Sequence, residues 1–297
     1  MRGSGNWGRW GQSDEVGAVN LITSAKRIEA CQLVRTGRAV SLSYEIRARQ
    51  EPSERGASVR RVWAVPREND PRAGALFEYQ GVTIHGVAVT HVDALNHAWG
   101  SSGGWNGRSP EDIVDGKETS WGGVQNWHAG IVTRGICVDL PRFRGEPYVS
   151  EGRPVEGEEI ERALLQQGVE ARPGDALVIC SGRTRWDSEH PPWGEGHSSG
   201  DGSSRPGVGA SCLSFFRSHD IAVVAWDMHD VMPNEASQPW GVHAALFTLG
   251  ICLVDNCMLE DLSQACAEEE RYEFMFVLAP LRWRGGSGSP VNPLAVF

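Results

Sequence analysis

The densest concentration of chemically capable side chains lies in Thr90-His91-Val92-Asp93-Ala94-Leu95-Asn96-His97, with His85 just upstream. On a strand, side chains alternate between faces, so His91 and Asp93 point the same way. Imidazole nitrogen and carboxylate oxygen in that arrangement suit a divalent ion such as Zn or Mn. His97 lies four residues past Asp93, beyond the expected strand end, where the chain can turn back. Its ordinary pKa near 6.5 suits it to carry a proton in acid/base work. A single histidine is more often a satisfied core residue, but three such groups closing an apolar strand point to a site.

A second pair is His243, in the first turn of a predicted helix after Pro239-Trp240-Gly241, and Asp255, at the end of the strand that follows. A helix start and a strand end twelve residues apart can meet at one edge of an α/β sheet, where sites commonly form. Asp227-Met228-His229-Asp230 could reach the same edge, although a polar loop is the simpler reading. Trp7, Trp10, Trp105 and Trp193 sit in glycine-rich stretches instead of apolar runs. They are candidates to line an aromatic substrate pocket, with packing the alternative. Other chemistries lack their signatures: there is no phosphate-binding P-loop and no G-x-G-x-x-G after a strand.

The elements that must position these groups read as follows. Three stretches, 39–46, 81–93 and 129–140, have the apolar content of strands. From about residue 155 the pattern alternates helix and strand. Helices are expected near 160–167, 212–217 and 242–249, and buried strands at 176–180, 221–226 and 251–254. The fold class expected is α/β, with a β-rich N-terminal half and helix–strand alternation in the C-terminal half. Loops are expected at 99–107 and 189–209, the second long enough to be a lid or binding loop. No linker interrupts the chain, so residues 1–297 are read as one domain with an N-terminal extension over about 1–35.

Composition bounds the class. The 297 residues are 40% hydrophobic and 22% charged, as expected of a packed globular chain. Acidic residues outnumber basic ones 38 to 28, a net charge of −10, which argues against a nucleic-acid partner. No apolar run approaches the ~20 residues that span a bilayer, and no signal-peptide stretch is present, so a cytoplasmic protein with no membrane partner is expected. Seven cysteines, an odd number without C-x-x-C, read as reduced and largely buried thiols.

The chain resembles the cyclase family of metal-dependent hydrolases, in its longer bacterial branch; the family includes kynurenine formamidase and isatin hydrolase. The family motif is H-x-G-T-H-x-D-x-x-x-H, and Thr90, His91, Asp93 and His97 match its second half. Asn6-Trp7-Gly8-Arg9-Trp10-Gly11 with Asn20-Leu21-Ile22-Thr23, the 130–145 stretch, and Gly285-Gly286-Ser287-Gly288-Ser289-Pro290-Val291-Asn292-Pro293 are similar to further family segments in the same order. The resemblance implies a swivelling β/β/α cyclase-like fold, a homodimer or higher homo-oligomer, and cleavage of a C–N amide or lactam bond in a small molecule. It implies His91 and Asp93 as metal ligands, His97 as general acid/base, and His243 and Asp255 near a second part of the metal site. A divalent metal, Mn or Zn, would be the cofactor.

Two departures bear on that metal. Val87 and Val89 stand where family members carry the first ligand histidine. His85 is the nearest replacement, yet in a straight strand it would lie ~20 Å from His91. It joins the site only if the chain bends. Asp255 is one methylene shorter than the glutamate of the formamidases. The alternative expectation is therefore a metal-free cyclase, dehydratase or isomerase using His91, Asp93 and His97, with no cofactor. A binding protein without catalysis is the third reading.

Overall fold

The computed structural model describes residues 5–49, 58–115, 118–119, 121–190, 204–233 and 240–297. Trp193 and most of the expected 189–209 loop lie outside the described residues.

The core is a curled sheet of nine strands. Its order is Ala39–Ser41, Leu294–Val296, Glu273–Leu278, Ile131–Asp139, Ala176–Cys180, Val223–Trp226, Cys252–Asp255, His91–Asp93 and Gly288–Pro290. The four middle strands from Ile131–Asp139 to Cys252–Asp255 run parallel, and the outer pairings are antiparallel. The parallel strands are buried along nearly their whole length, as strands covered on both faces must be. Alternation then deals their side chains to two cores. Ile136, Val138, Leu177, Ile179, Val224, Trp226 and Leu253 pack on one face. Cys137, Val178, Val223, Ala225, Val254 and Val92 pack on the other.

Helices Gly157–Gln166, Cys212–Ser218 and Ala244–Thr248 contribute to the first core, and Glu260–Glu268 to the second. Gly157–Gln166 buries Ile160, Ala163 and Leu164 on one face, the three-to-four spacing seen in the sequence. The α/β class and the helix–strand alternation expected after residue 155 are both present. All seven cysteines are unpaired and six are buried; Cys31 is exposed. Among the described residues, no helix is long and apolar enough to cross a membrane.

The N-terminal segment is tied into this body. Lys26 and Arg134, both almost fully buried, meet the fully buried Asp175 at 2.6 Å each. Removing one member of such a set would strand a buried charge, at a cost of about 3–5 kcal/mol.

One expected strand is corrected. The 81–93 stretch is not a single strand: Asp70–Val82 ends first, and only His91–Asp93 enters the sheet. The carbonyls of Gly86, Val87 and Val89 are taken by the side chains of Asn256 and Arg183 instead of a neighbouring strand. Those bonds satisfy the backbone while letting it bend. The 39–46 stretch is likewise shorter, with Ala39–Ser41 as strand and Ser43 making a single bridge to Cys257. The periodicity reading assigned nothing to the long hairpin of Ser58–Arg67 and Asp70–Val82.

Candidate metal centre

Sheet register assembles the site. Asp255 pairs with His91, and Leu253 with Asp93, in antiparallel register. Residues directly opposite share a face, so His91, Asp93 and Asp255 project together. His91 is almost fully buried and Asp93 completely so. After the strand, His97 N–H donates to Ala94 O at 2.9 Å, closing a turn that brings the ring back over the strand end. His97 Nε2 lies 3.8 Å from Asp93 Oδ2.

The bend at 83–90 brings in His85. Its Nδ1 is 2.8 Å from Asp93 Oδ1 and its Nε2 is 2.8 Å from Ser287 Oγ. Its ring stacks on His97, centroids 3.7 Å apart. Gly288 makes the room: a Cβ there would stand 2.6 Å from Val92 O and 2.9 Å from His85 Cε1. Asn256 holds the bend, donating from Nδ2 to Gly86 O and to Val89 O, the latter at 3.2 Å. Arg183 donates to Val87 O at 2.9 Å and to Asn256 Oδ1 at 2.7 Å. With Val87 and Val89 at the expected positions, His85 thus reaches Asp93 from upstream.

The second half of the site comes from the 227–230 loop and the helix start at His243. His243 Nδ1–H donates to Asp230 Oδ2, and its Nε2 faces Asp255 Oδ2 at 3.2 Å and Asp93 Oδ2 at 3.8 Å. Trp226 Nε1–H donates to Asp255 Oδ1. His229 Nε2 lies 3.1 Å from Asn256 Oδ1 and 3.6 Å from Asp255 Oδ2. His229 and Asp230 thus belong to the cluster, contrary to the simpler polar-loop reading. Their signal was present in the sequence: a D-x-H-D run directly after a buried strand, at the strand's C-terminal end.

Electrostatics follow from three buried carboxylates facing five imidazoles. Burial opposes ionisation of Asp93, yet His97, His85 and His91 around it hold its pKa well below the ordinary range. Burial alone would lower His91; its hydrogen bond to Asp93 and the charges of Asp93 and Asp255 carry it to about 9. His243 is raised well above its ordinary value, because Asp230 and Asp255 outweigh its burial. His97 goes the other way, to about 4: burial dominates, and His85 and His243 reinforce it. His229 is also pushed down to about 4, by burial first.

Two overlapping groups, His85/His91/Asp93 and Asp93/His243/Asp255, each offer three ligand atoms within 4.8 Å of one another. The fit to a cation is chemical as well as spatial. His91 Nδ1–H is given to Val89 O at 2.8 Å and His243 Nδ1–H to Asp230, so each directs Nε2 inward. Holding the outer nitrogen in this way is how metal-ligating histidines are usually oriented. Asp93 Oδ2 is buried and accepts no hydrogen bond among the described residues. An orphaned carboxylate oxygen costs desolvation energy unless a cation meets it.

Of the tryptophans proposed from sequence, Trp7, Trp10 and Trp105 pack elsewhere, and Trp193 lies outside the described residues. Trp105 is fully buried, and its Nε1–H donates to Asp14 O at 2.9 Å. Trp10 packs beside it, centroids 6.1 Å apart. Trp7 donates to Phe247 O and lies over Gly107. These three fasten the N-terminal segment to the body. At the cluster, the rings of Trp226 and Trp240 lie 5.4 Å and 6.1 Å from His243 by centroids, and Trp240 Nε1–H donates to Trp99 O at 3.0 Å. Trp99 and Trp240 are about 40% exposed.

Fold and site together define the class: an α/β protein whose curled sheet carries candidate metal-binding His/Asp groups at its strand ends. Residues 40–232 match the putative cyclase family, and the chain belongs to that family. It is similar to a solved structure described as a novel cyclase, at 28% identity and TM-score 0.84, covering 99% of this chain and 100% of that one. It shares the fold of isatin hydrolase A from Labrenzia aggregata, at 18% identity and TM-score 0.57, covering 92% and 98% of the two chains. For isatin hydrolase A from Ralstonia solanacearum the figures are 16%, 0.58, 87% and 91%. No curated protein matches the chain.

Proposed function

We propose that the protein is a metal-dependent hydrolase that opens a C–N amide or lactam bond in a small, cyclic or aromatic substrate. The observation that carries the reading is Asp93: one oxygen is met by His85 and His91, and the other is buried and orphaned between His97 and His243. Family membership and the shared fold with two isatin hydrolases support the reaction class.

His85, His91 and Asp93 would hold a divalent ion, with His243 and Asp255 beside Asp93 to bind or balance further charge. Such an ion supplies Lewis acidity toward a carbonyl and acidifies water. His97, neutral because burial keeps its pKa near 4, takes the proton from the attacking water at Nε2. The new C–O bond forms, the C–N bond breaks, and His97 returns the proton to the leaving nitrogen. His85 and His97 are the site imidazoles most open to solvent, with side chains 28% and 21% exposed, so substrate enters from their side. Trp240, half-exposed beside His243, would offer its ring to an aromatic substrate.

The metal-free alternative rests on the valines at 87 and 89; His85, at 2.8 Å from Asp93, supports the metal reading instead. Elemental analysis of protein purified without chelator or metal-affinity tag, beside His91→Ala, tests the reading. About one equivalent of Mn or Zn, lost in the variant, is expected, followed by turnover of isatin or other lactams and aryl amides. No metal after incubation with excess Mn and Zn overturns the proposal and leaves His97 acid/base chemistry without a cofactor.

A further inference from the structure

Helix Ala244–Thr248, which His243 opens, is only five residues long. A helix this short does not hold itself in water, so its place depends on what its ends are tied to. Asp230 holds the start, accepting from the backbone N–H of Val242 and, at 3.3 Å, of His243. The last carbonyls of a helix have no partner within it. Here Phe247 O accepts from Trp7 Nε1–H, Thr248 O from the Asn6 backbone N–H at 2.9 Å, and Leu249 O from Asn6 Nδ2 at 3.1 Å. Gly250 O accepts from Ala18 N–H at 2.7 Å. The N-terminal segment thus takes the carbonyls from Phe247 to Gly250 in succession. The approach is close: a Cβ on Gly5 would stand 2.5 Å from Thr248 O.

The same segment grips the loop that follows His97. A Cβ on Gly107 would stand 3.2 Å from the Trp7 ring. Gly8 N–H donates to Asn106 Oδ1 at 2.8 Å, and Asn106 Nδ2 donates back to Gly11 O at 3.1 Å. That loop also meets the helix directly: a Cβ on Gly100, three residues past His97, would stand 2.8 Å from the Phe247 ring. At the site, the His97 and His243 rings lie 6.4 Å apart by centroids, and each Nε2 is 3.8 Å from Asp93 Oδ2.

We infer that Asn6 and Trp7 are positioning residues of the site: they cap the His243 helix from outside it and lock it to the His97 loop. They touch no group of the cluster and act through the carbonyls at 247–249. His91 and Asp93 need no such tie, because sheet register sets their place. His243 is carried by a five-residue helix, so its place against Asp93 and Asp255 depends on both ends being held. The effect on a bound metal rests on the hydrolase reading; the placement of His243 does not.

Nuclear magnetic resonance of the metal-free full chain with labelled histidine tests the inference. The His243 Nδ1–H given to Asp230 and the His91 Nδ1–H given to Val89 O are two reporters in one cluster. Asn6→Ala combined with Trp7→Phe removes two hydrogen bonds, and the His243 proton should exchange with water about 30-fold faster while the His91 proton keeps its rate. Arg9→Ala, which removes the ion pair of the same segment to Asp220, should change neither. An unchanged His243 rate overturns the proposal, and so does equal acceleration of both protons, the mark of general loosening. In the wild type, the Trp7 indole N–H and the Asn6 amide should open together with the His243 proton, with one dependence on denaturant. A segment that opens alone while His243 stays protected overturns the proposal without any variant. Where the wild type binds Mn or Zn, the double variant should bind it about tenfold more weakly, and equal affinity counts against the proposal. A wild type that binds neither ion ends the hydrolase reading and leaves the exchange result to decide this one.

Discussion

His85→Ala separates a ligand from a bystander, and its effect can be sized. A ligand that binds only the folded state stabilises it by about 2.7 kcal/mol when present at 100 times its dissociation constant. For 297 residues, an unfolding entropy of about 2.1 cal/mol/K per residue gives ~0.6 kcal/mol/K, so the metal should raise the wild-type Tm by ~4 °C. Loss of an outer-shell partner already costs 10–100-fold in metal affinity, so loss of a ligand should cost at least about 100-fold. At the same metal concentration the variant is then half-saturated, worth about 0.4 kcal/mol and less than 1 °C. The substitution also removes the contacts of His85 to Asp93 and Ser287. At about 1 kcal/mol each they lower Tm by ~3 °C with or without metal. The informative quantity is therefore the metal-induced shift, not the Tm itself, measured by calorimetry with Mn and then Zn. A variant that keeps the full shift and the wild-type dissociation constant would show that His85 binds no metal and that the bend at 83–90 serves another purpose.

His97→Gln should lower kcat by roughly 10²–10⁴-fold while metal content and the metal-induced Tm shift stay as in the wild type; activity within a few-fold of wild type would remove His97 from proton transfer. Gly288→Ala should displace the His85 ring, whose Cε1 would stand 2.9 Å from the new Cβ, and titration should find weaker metal binding with His91 and Asp93 intact. Asn256→Ala frees the carbonyls of Gly86 and Val89 and leaves Arg183 short of an acceptor, so metal affinity should fall about 10–100-fold. Because His91 in the metal-free protein is raised to about 9, it carries a proton that an incoming ion must displace. Apparent affinity should therefore rise with pH from 6 to 8, by about tenfold per unit for each proton released. Calorimetry in buffers of different ionisation heat counts those protons, and a pH-independent affinity contradicts the assignment.

Much of the site was legible in the chain. The period-two spacing of His91 and Asp93, with His97 one turn on, places three groups at one strand end without any tertiary information. The pairing of His243 with Asp255 followed from a helix start and a strand end twelve residues apart, and the two meet at 3.2 Å. His229 and Asp230 were harder to read, because a polar run after a strand has the same composition whether it faces solvent or a site. Trp7, Trp10 and Trp105 were hard to read for a related reason: glycine-rich surroundings look the same around a pocket and around a segment that docks on its own core. Trp105 at zero exposure belongs to the second kind.

Local rules thus determined which residues share a face, where helices and strands alternate, and that a His–Asp–His cluster closes an apolar strand. They hold because side-chain direction is set by backbone period within a few residues. The position of His85 was decided only by the tertiary structure. Read as a straight strand it lies ~20 Å away; in the folded chain it meets Asp93 at 2.8 Å. The difference comes from Asn256 and Arg183, far along the chain, which accommodate the carbonyls of the bend, and from Gly288, which leaves space for the ring. Such bonds between distant side chains and an irregular backbone have no period, so no local pattern announces them.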